Sequence, residues 1–543
     1  MKHFAAILPW LIAFNALSQP SKERVILFPD RNLYISGEPV RFSALIKPEN
    51  DSLAVSRILY CELITPVGKR IAGEKYSALN SVVSGNLVIP PDLISGVYYL
   101  KAYTRSMRQE GHSAYSYDYI KVVNPHRSEV NDPSGELIHA DSEKAEDLMN
   151  EFIRRGVKVP EVVLPGQTAR IEVDTSICHN LKNLTISVIP ENTFSNRIVS
   201  PDADGVKDSA TYLQETNGLL ITGIVKSRLN DSAVPGIRVN LSIIGEGRDF
   251  ISVVTGPDGR FVFPVPDYTG NRDIFLCTEG QDSLDSQIFI DNDFCNLPVS
   301  MPDWNFELSP EERQTALNMA VSFNLDTYFN SDPADDLEYS DTSAFYGKPD
   351  EILVMDEYVQ LPTLEDYFNQ LPVSVKVRKR SGHKYFKVLG TQDELMEIDP
   401  LVMVDLVVID DPEKVLALEP RNISRIDIVN SVYVKGSMIY GGIVNIISAK
   451  GDFAGISLPS SGLFINYSFL SRYDNIPEYP GNRKILPDTR NTFLWKVLTE
   501  PDECQELSFI APDTPGKYLI VVRAADEQGK EVSGTFSFNV QGH

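Results

Sequence analysis

The class of this fold turns on Gly96-Val97-Tyr98-Tyr99-Leu100-Lys101-Ala102-Tyr103. β-Branched and aromatic side chains crowd this run, and they suit a pleated, half-buried surface. Upstream stand three runs of the same kind. Arg24-Val25-Ile26-Leu27-Phe28 is halted by Pro29-Asp30, and Pro39-Val40-Arg41-Phe42-Ser43-Ala44-Leu45-Ile46 follows. Ile58-Leu59-Tyr60-Cys61-Glu62-Leu63-Ile64 is closed by Thr65-Pro66-Val67-Gly68. Short strands separated by turn residues over 24–124 predict an all-β sandwich.

Three phrases in this region, Tyr34-Ile35-Ser36-Gly37-Glu38-Pro39, the Tyr60-Cys61-Glu62-Leu63 strand and Ser95 to Thr104, resemble the macroglobulin-type sandwich. The resemblance implies a seven-stranded structural module over residues 19–125. The Gly-Cys-Gly-Glu-Gln thioester motif is missing from the sequence, so covalent trapping is not implied. Residues 126–156 read as a polar linker with a short helix at 145–155. Residues 157–215 form a second β-module, with strands at 169–173 and 184–189. Residues 216–300 contain Leu220-Ile221-Thr222-Gly223-Ile224-Val225, Val234-Pro235-Gly236-Ile237 and Thr255-Gly256-Pro257-Asp258-Gly259-Arg260. They resemble the carboxypeptidase-regulatory-like (transthyretin-like) sandwich, which implies a structural module without peptidase activity. Asp258-Gly259 is expected to turn a hairpin, because glycine accepts the positive φ needed there. Within 301–344, Ser309-Pro310-Glu311-Glu312 starts a helix, with a capping serine, proline at the first position and acids at the positive end. Ala316, Met319, Ala320 and Phe323 recur at helical spacing toward an end near Tyr328. The acidic stretch 332–341 is read as a solvated linker.

The segment 345–455 has a different order of elements. Pro400-Leu401-Val402-Met403-Val404-Asp405 is an apolar strand, and Asp410-Asp411-Pro412 opens a short helix. Ile423-Ser424-Arg425-Ile426-Asp427-Ile428-Val429 alternates as a half-buried strand should, and Tyr440-Gly441-Gly442-Ile443 feeds another. This order resembles the plug domain of TonB-dependent outer-membrane receptors. It departs from the family pattern at Asp405-Leu406, where the family has Asp-Gly, and in a shortened Tyr-Gly turn. Residues 456–543 read as a C-terminal sandwich. They are too few for a receptor barrel of about 22 strands of roughly 10 residues each, so a plug-like domain without its own barrel is expected. The fold class is therefore mainly β and multidomain: tandem β-sandwiches plus one small α+β plug-like domain.

Residues 1–18 combine Lys2, an apolar run and Ala16-Leu17-Ser18, the pattern of a secretory signal peptide. Export places the mature chain in the periplasm or peripheral to the outer membrane of a Gram-negative bacterium, with no transmembrane segment of its own. The net charge of −25 over 543 residues speaks against nucleic acid and anionic lipid as partners. Five cysteines show no metal spacing, and Cys277 with Cys295 is the nearest pair for a disulfide. Seven histidines are scattered, and His139 near Glu143 reads as a solvated pair. Asp410 and Asp411 read as helix caps, and Asp332, Asp335 and Asp336 lack the rest of a calcium loop. Tyrosines at 98–119 and 467–479 are read as core residues. No catalytic, cofactor or metal residues are assigned, no cofactor is expected, and the binding residues and any small-molecule ligand stay open.

Two readings follow. One is a non-enzymatic scaffold or interaction protein whose plug-like domain docks to a protein partner, an outer-membrane barrel protein being the natural candidate. The alternative is an accessory subunit of a TonB-dependent transport system, with Asp350-Glu351-Ile352-Leu353-Val354-Met355 as a candidate box for the energising protein. The export reading predicts that amino-terminal sequencing of the mature protein starts at or near Gln19; recovery of intact Met1 from envelope fractions would remove it.

Overall fold

The computed structural model describes residues 22–49, 54–131, 151–197, 199–201, 212–244, 249–280, 285–302, 305–329, 344–390, 395–436, 438–472, 488–499 and 506–542. The signal-peptide segment, the acidic stretch 332–341, His139, Glu143 and most of the expected 145–155 helix lie outside these residues; Glu151–Gly156 is helical. The chain is mainly β and divides into two compact units. The first comprises Met1–Gly218, Phe294–Asp332 and Leu470–His543, and the second Leu219–Asp293 and Pro333–Phe469.

In the first unit, one sandwich sets the sheet Glu23–Pro29, Pro39–Pro48, Val82–Val88 against a second sheet. That sheet runs Leu33–Ile35, Ser116–Val123, Ser95–Tyr103, Ile58–Ile64, Arg70–Ser77. Ile58–Ile64 and Ser95–Tyr103 are buried along their whole length. A strap at 294–302 supplies part of that cover. The Cys295 amide donates to the Tyr103 hydroxyl at 2.8 Å, and Met301 N donates to Pro66 O at 2.8 Å. The expected tyrosine core is observed at Tyr98, Tyr99, Tyr103 and Tyr119, each no more than 2% exposed. Helix Pro310–Phe329 begins with a reciprocal capping box: Ser309 Oγ accepts from Glu312 N, and Ser309 N donates to the Glu312 carboxylate. Its Ala316, Met319 and Ala320 pack on Leu33 and Ile35.

The second sandwich of this unit corrects the expected domain plan. Residues 157–215 and 456–543 were each expected to form a module. Instead Thr168–Val173 pairs with Glu506–Ile510, and Lys182–Pro190 lies between Gly516–Ala525 and Leu494–Leu498. Each half alone would leave its apolar face open. Together they bury Ile171, Ile186, Val188, Ile520, Val522 and Phe538 in one core.

A buried ionic network joins the two sandwiches of the first unit. Arg31, 1% exposed, pairs with Glu38 at 2.8 Å and with Asp30 at 3.4 Å, and donates to Thr492 Oγ1. Asn491 Nδ2 donates to Glu38 at 2.7 Å, and Thr492 donates to Asp30 at 2.6 Å. Nearby, Arg523 bridges Asp118 and Glu531 at 3.4 and 2.9 Å, while Asn32 donates to Asp118 at 3.0 Å.

In the second unit, Leu220–Ser227 lies between Arg260–Pro264 and Ser286–Ile290, facing a sheet ordered Asp249–Val254, Arg238–Ile244, Asn271–Glu279, Leu463–Ser468. Asp258-Gly259 makes its turn, with Gly259 at φ +74°, but the strands it joins belong to opposite sheets, so it crosses the sandwich and forms no hairpin. A mixed five-stranded sheet follows: Glu351–Val354, Ile423–Val429, Ile443–Ser448, Leu401–Val404, Val407–Val408. Residues 345–455 do not close a core by themselves. Phe275 and Cys277 join Phe368, Phe386, Ile426 and Ile446 in one cluster, and Leu463–Ser468 completes the sheet next to Asn271–Glu279.

Burial pushes the Asp118 carboxyl up to about 6, with Arg523 opposing the shift. The folded state therefore holds this proton more tightly than the unfolded chain, whose aspartates titrate near 3.9. Its contribution is fully present below about pH 4 and is lost as pH rises through about 6. Urea midpoints of wild type should fall relative to Asp118→Asn across that window; parallel profiles would show that Asp118 titrates normally.

Candidate docking surface

Around Gly436 the sequence alternates Tyr433-Val434-Lys435 and Met438-Ile439-Tyr440. Gly436 has φ +62°, a conformation suited to a residue without Cβ, and the two runs close into a hairpin. The register sets Tyr433 opposite Tyr440 and Val434 opposite Ile439. Side chains directly opposite share a face, so the two pairs face opposite ways. The tyrosine face packs inward: Tyr440 is buried against Phe250, Leu401 and Met403, and the Tyr433 ring lies 5.7 Å from Phe345. Lys435 on the same face reaches Asp249 at 2.7 Å. The other face is left to solvent, with Val434 60% and Ile439 54% exposed and Val432 beside them at 56%.

The glycine pair behind Tyr440 carries two different constraints. Of the two, only Gly442 takes a positive φ, at +93°. Gly441 is required by proximity: a Cβ there would sit 2.0 Å from the Ile398 carbonyl oxygen. This lets Gly441 N donate to Asp399 O at 3.0 Å.

Polar side chains brace the sheet beneath. Asp427, 1% exposed, accepts from the Tyr346 hydroxyl at 2.9 Å and pairs with Arg425 at 3.1 Å. Asn445 donates to the Tyr346 hydroxyl at 2.9 Å, and burial raises that phenol's pKa. At the Asp405-Leu406 departure both residues have positive φ, +48° and +68°. Asp405 accepts from Ser448 N, Ser448 Oγ and Phe453 N, while Leu406 is 2% exposed in the core. These groups fix backbone; none pairs a nucleophile with a base.

The other sequence candidates fall in separate places. Asp411 caps Pro412–Leu416 through Glu413 N at 3.0 Å, while Asp410 is exposed and takes no part in the cap. Asp332, Asp335 and Asp336 lie outside the described residues. Among the described residues no three His, Cys, Asp or Glu side chains converge as metal ligands, and no helix is long and apolar enough to cross a membrane. The candidate box is built into the fold: Glu351–Val354 pairs antiparallel with Ile423–Val429, and Leu353 and Met355 are buried. The Cys277–Cys295 pairing is overturned. Both thiols are free, each buried as a small apolar side chain in a different unit, whereas Cys178 is disulfide-bonded. The exposed hairpin face went unread in the sequence, although its signal was there as period-two alternation on both sides of Gly436.

No protein-family model and no curated protein matches this chain. Among solved structures, a Salmonella alpha-2-macroglobulin variant overlays at 10% identity and a TM-score of 0.23, covering 98% of this chain and 40% of that one. E. coli alpha-2-macroglobulin in its native conformation overlays at 10% identity and 0.23, covering 96% and 40%. A tetra-tandem repeat from the extending region of a large adhesion protein gives 7% and 0.14, covering 96% and 99%. The chain spans about two fifths of the length of the macroglobulins. Likeness at this level carries no argument about what the protein does.

Gly436 and Gly441 separate φ from proximity. Gly436→Ala, with open space around it, should cost about 1 kcal/mol for the left-handed backbone alone. Gly441→Ala should cost about 3 kcal/mol, because the Ile398 backbone has to move. Urea denaturation of the variants checks the order; equal losses would mean that the close approach is absent.

Proposed function

We propose that this protein is an exported, non-enzymatic scaffold or interaction protein of the cell envelope. Its second unit docks to an outer-membrane protein partner, and its sandwiches serve as spacers. The observation that carries the reading is the Val432, Val434, Ile439 face. Three β-branched surface residues, Val434 and Ile439 directly opposite each other and Val432 beside them, on a hairpin whose other face is anchored in the core, resemble the apolar centre of a protein interface. The sequence resemblance of residues 345–455 to receptor plugs gives the partner class, an outer-membrane β-barrel. The resemblances to macroglobulin-type and carboxypeptidase-regulatory-like modules favour a structural role for the sandwiches. The disulfide at Cys178 is in keeping with an oxidising compartment, where such bonds persist.

The test is crosslinking in intact envelopes followed by purification of the full-length protein. Wild type should bring down an outer-membrane barrel protein, and Val434→Ser with Ile439→Ser should lose it by about tenfold or more while keeping the same melting temperature. Fractionation with the cytoplasm, or capture that is indifferent to the two substitutions, would overturn the reading. Discrete channel currents from the purified chain alone would do so as well.

A further inference from the structure

A second hairpin in this unit has the opposite chemistry. Residues 375–388 read Val-Lys-Val-Arg-Lys-Arg-Ser-Gly-His-Lys-Tyr-Phe-Lys-Val, with Lys376, Arg378, Lys379, Arg380, Lys384 and Lys387 and no acid, in a chain of net charge −25. Val375–Arg380 pairs with His383–Val388 through Ser381 and Gly382, both at positive φ, so the turn is a two-residue one of the twisted hairpin type. One face is rooted in the core. Val375, Phe386 and Val388 are at most 1% exposed, and Phe386 meets the Phe368 ring at 4.9 Å.

The other face sets Lys376 opposite Lys387, Arg378 opposite Tyr385, and Arg380 opposite His383. Like charges directly opposite each other destabilise a hairpin unless an anion lies over them. At the root, Lys387 is matched by Asp399 at 2.7 Å. Toward the tip, Arg378 and Arg380 on this face are exposed, and neither has an ion-pair partner among the described residues. A row of cations has thus been kept without counter-charge on a rigid strand, within a chain that carries an excess of acids.

We propose that this face binds an extended acidic segment of a protein, with carboxylates at alternate positions. Side chains on one face of a strand recur every ~6.8 Å, so Lys376, Arg378 and Arg380 match the spacing of every second residue in an extended peptide. The patch is one hairpin wide. A broad polyanion such as duplex DNA or an anionic bilayer would bring the rest of this acidic chain within a Debye length of about 8 Å, where repulsion counts; a single segment would not. The inference goes beyond the docking reading, since it concerns another hairpin and another chemistry.

The test uses the full mature protein and a fluorescein-labelled octapeptide alternating glutamate and threonine, read by anisotropy at low and high salt. Wild type should bind it with a strong salt dependence. The double variant Arg378→Gln, Arg380→Gln, altered only at exposed positions of this face, should bind about tenfold more weakly. Val434→Ser with Ile439→Ser should leave this binding unchanged. Phosphatidylglycerol vesicles and duplex DNA serve as competing anions. Failure of wild type to bind the peptide, equal binding by the double variant, or tighter binding of vesicles or DNA would each overturn the proposal.

Discussion

A guanidinium removed from water constrains the first unit more than any other group. Taking Arg31 out of solvent costs several kcal/mol, and only well-placed partners offset that. Those partners come from distant parts of the chain: Asp30 and Glu38 from the first sandwich, Asn491 and Thr492 from the approach to the second. The contact is therefore specific in a way that apolar packing is not. A shift between the two sandwiches would strand Arg31 beside carboxylates that no longer face it, and such a break costs about 3–5 kcal/mol. Arg523 with Asp118 repeats the arrangement, so the junction is held at two ionic points.

The second unit settles a conflict at Leu406 by magnitude. A left-handed backbone at a residue with a branched side chain costs about 1–2 kcal/mol, and full burial of a leucine returns about 1.5–3 kcal/mol. Burial prevails, and Asp405 secures the turn through three donors. The glycine that the receptor-plug pattern places there would relieve the backbone and empty the core.

Local chemistry was legible in the sequence. β-Branched and aromatic runs located the strands of the first sandwich, Ser309-Pro310-Glu311-Glu312 located its helix, and Asp411 was read as a cap. Each of these is decided within about four residues. Pairing across long separations was not legible. Nothing near Ile186 states that its neighbour in the sheet is Val522, because any alternating strand with an apolar face would fit equally well. The same gap explains Asp258-Gly259, whose turn was recognised while its sheets were not, and Gly441, whose demand comes from the carbonyl of Ile398. Both hairpins of the second unit were visible as patterns. They were passed over because a few exposed branched residues or a basic run mean little until the opposite face is known to be buried.

The pairing of Lys182–Pro190 with Gly516–Ala525 and Leu494–Leu498 also sets an order of events for a newly made chain. As it emerges amino terminus first, the strand around Ile186 waits through roughly 300 residues for both of its neighbours, and closing a loop of that length costs on the order of 5 kcal/mol in chain entropy. Until then it offers unpaired amides and an apolar face to any other unfinished copy. Early folding of the inserted second unit shortens that wait, because Leu220–Ser227 and Leu463–Ser468 belong to the same compact unit and its completion gathers the flanking segments. A chain that closed the inserted unit first would therefore face a shorter loop when Lys182–Pro190 meets its partners.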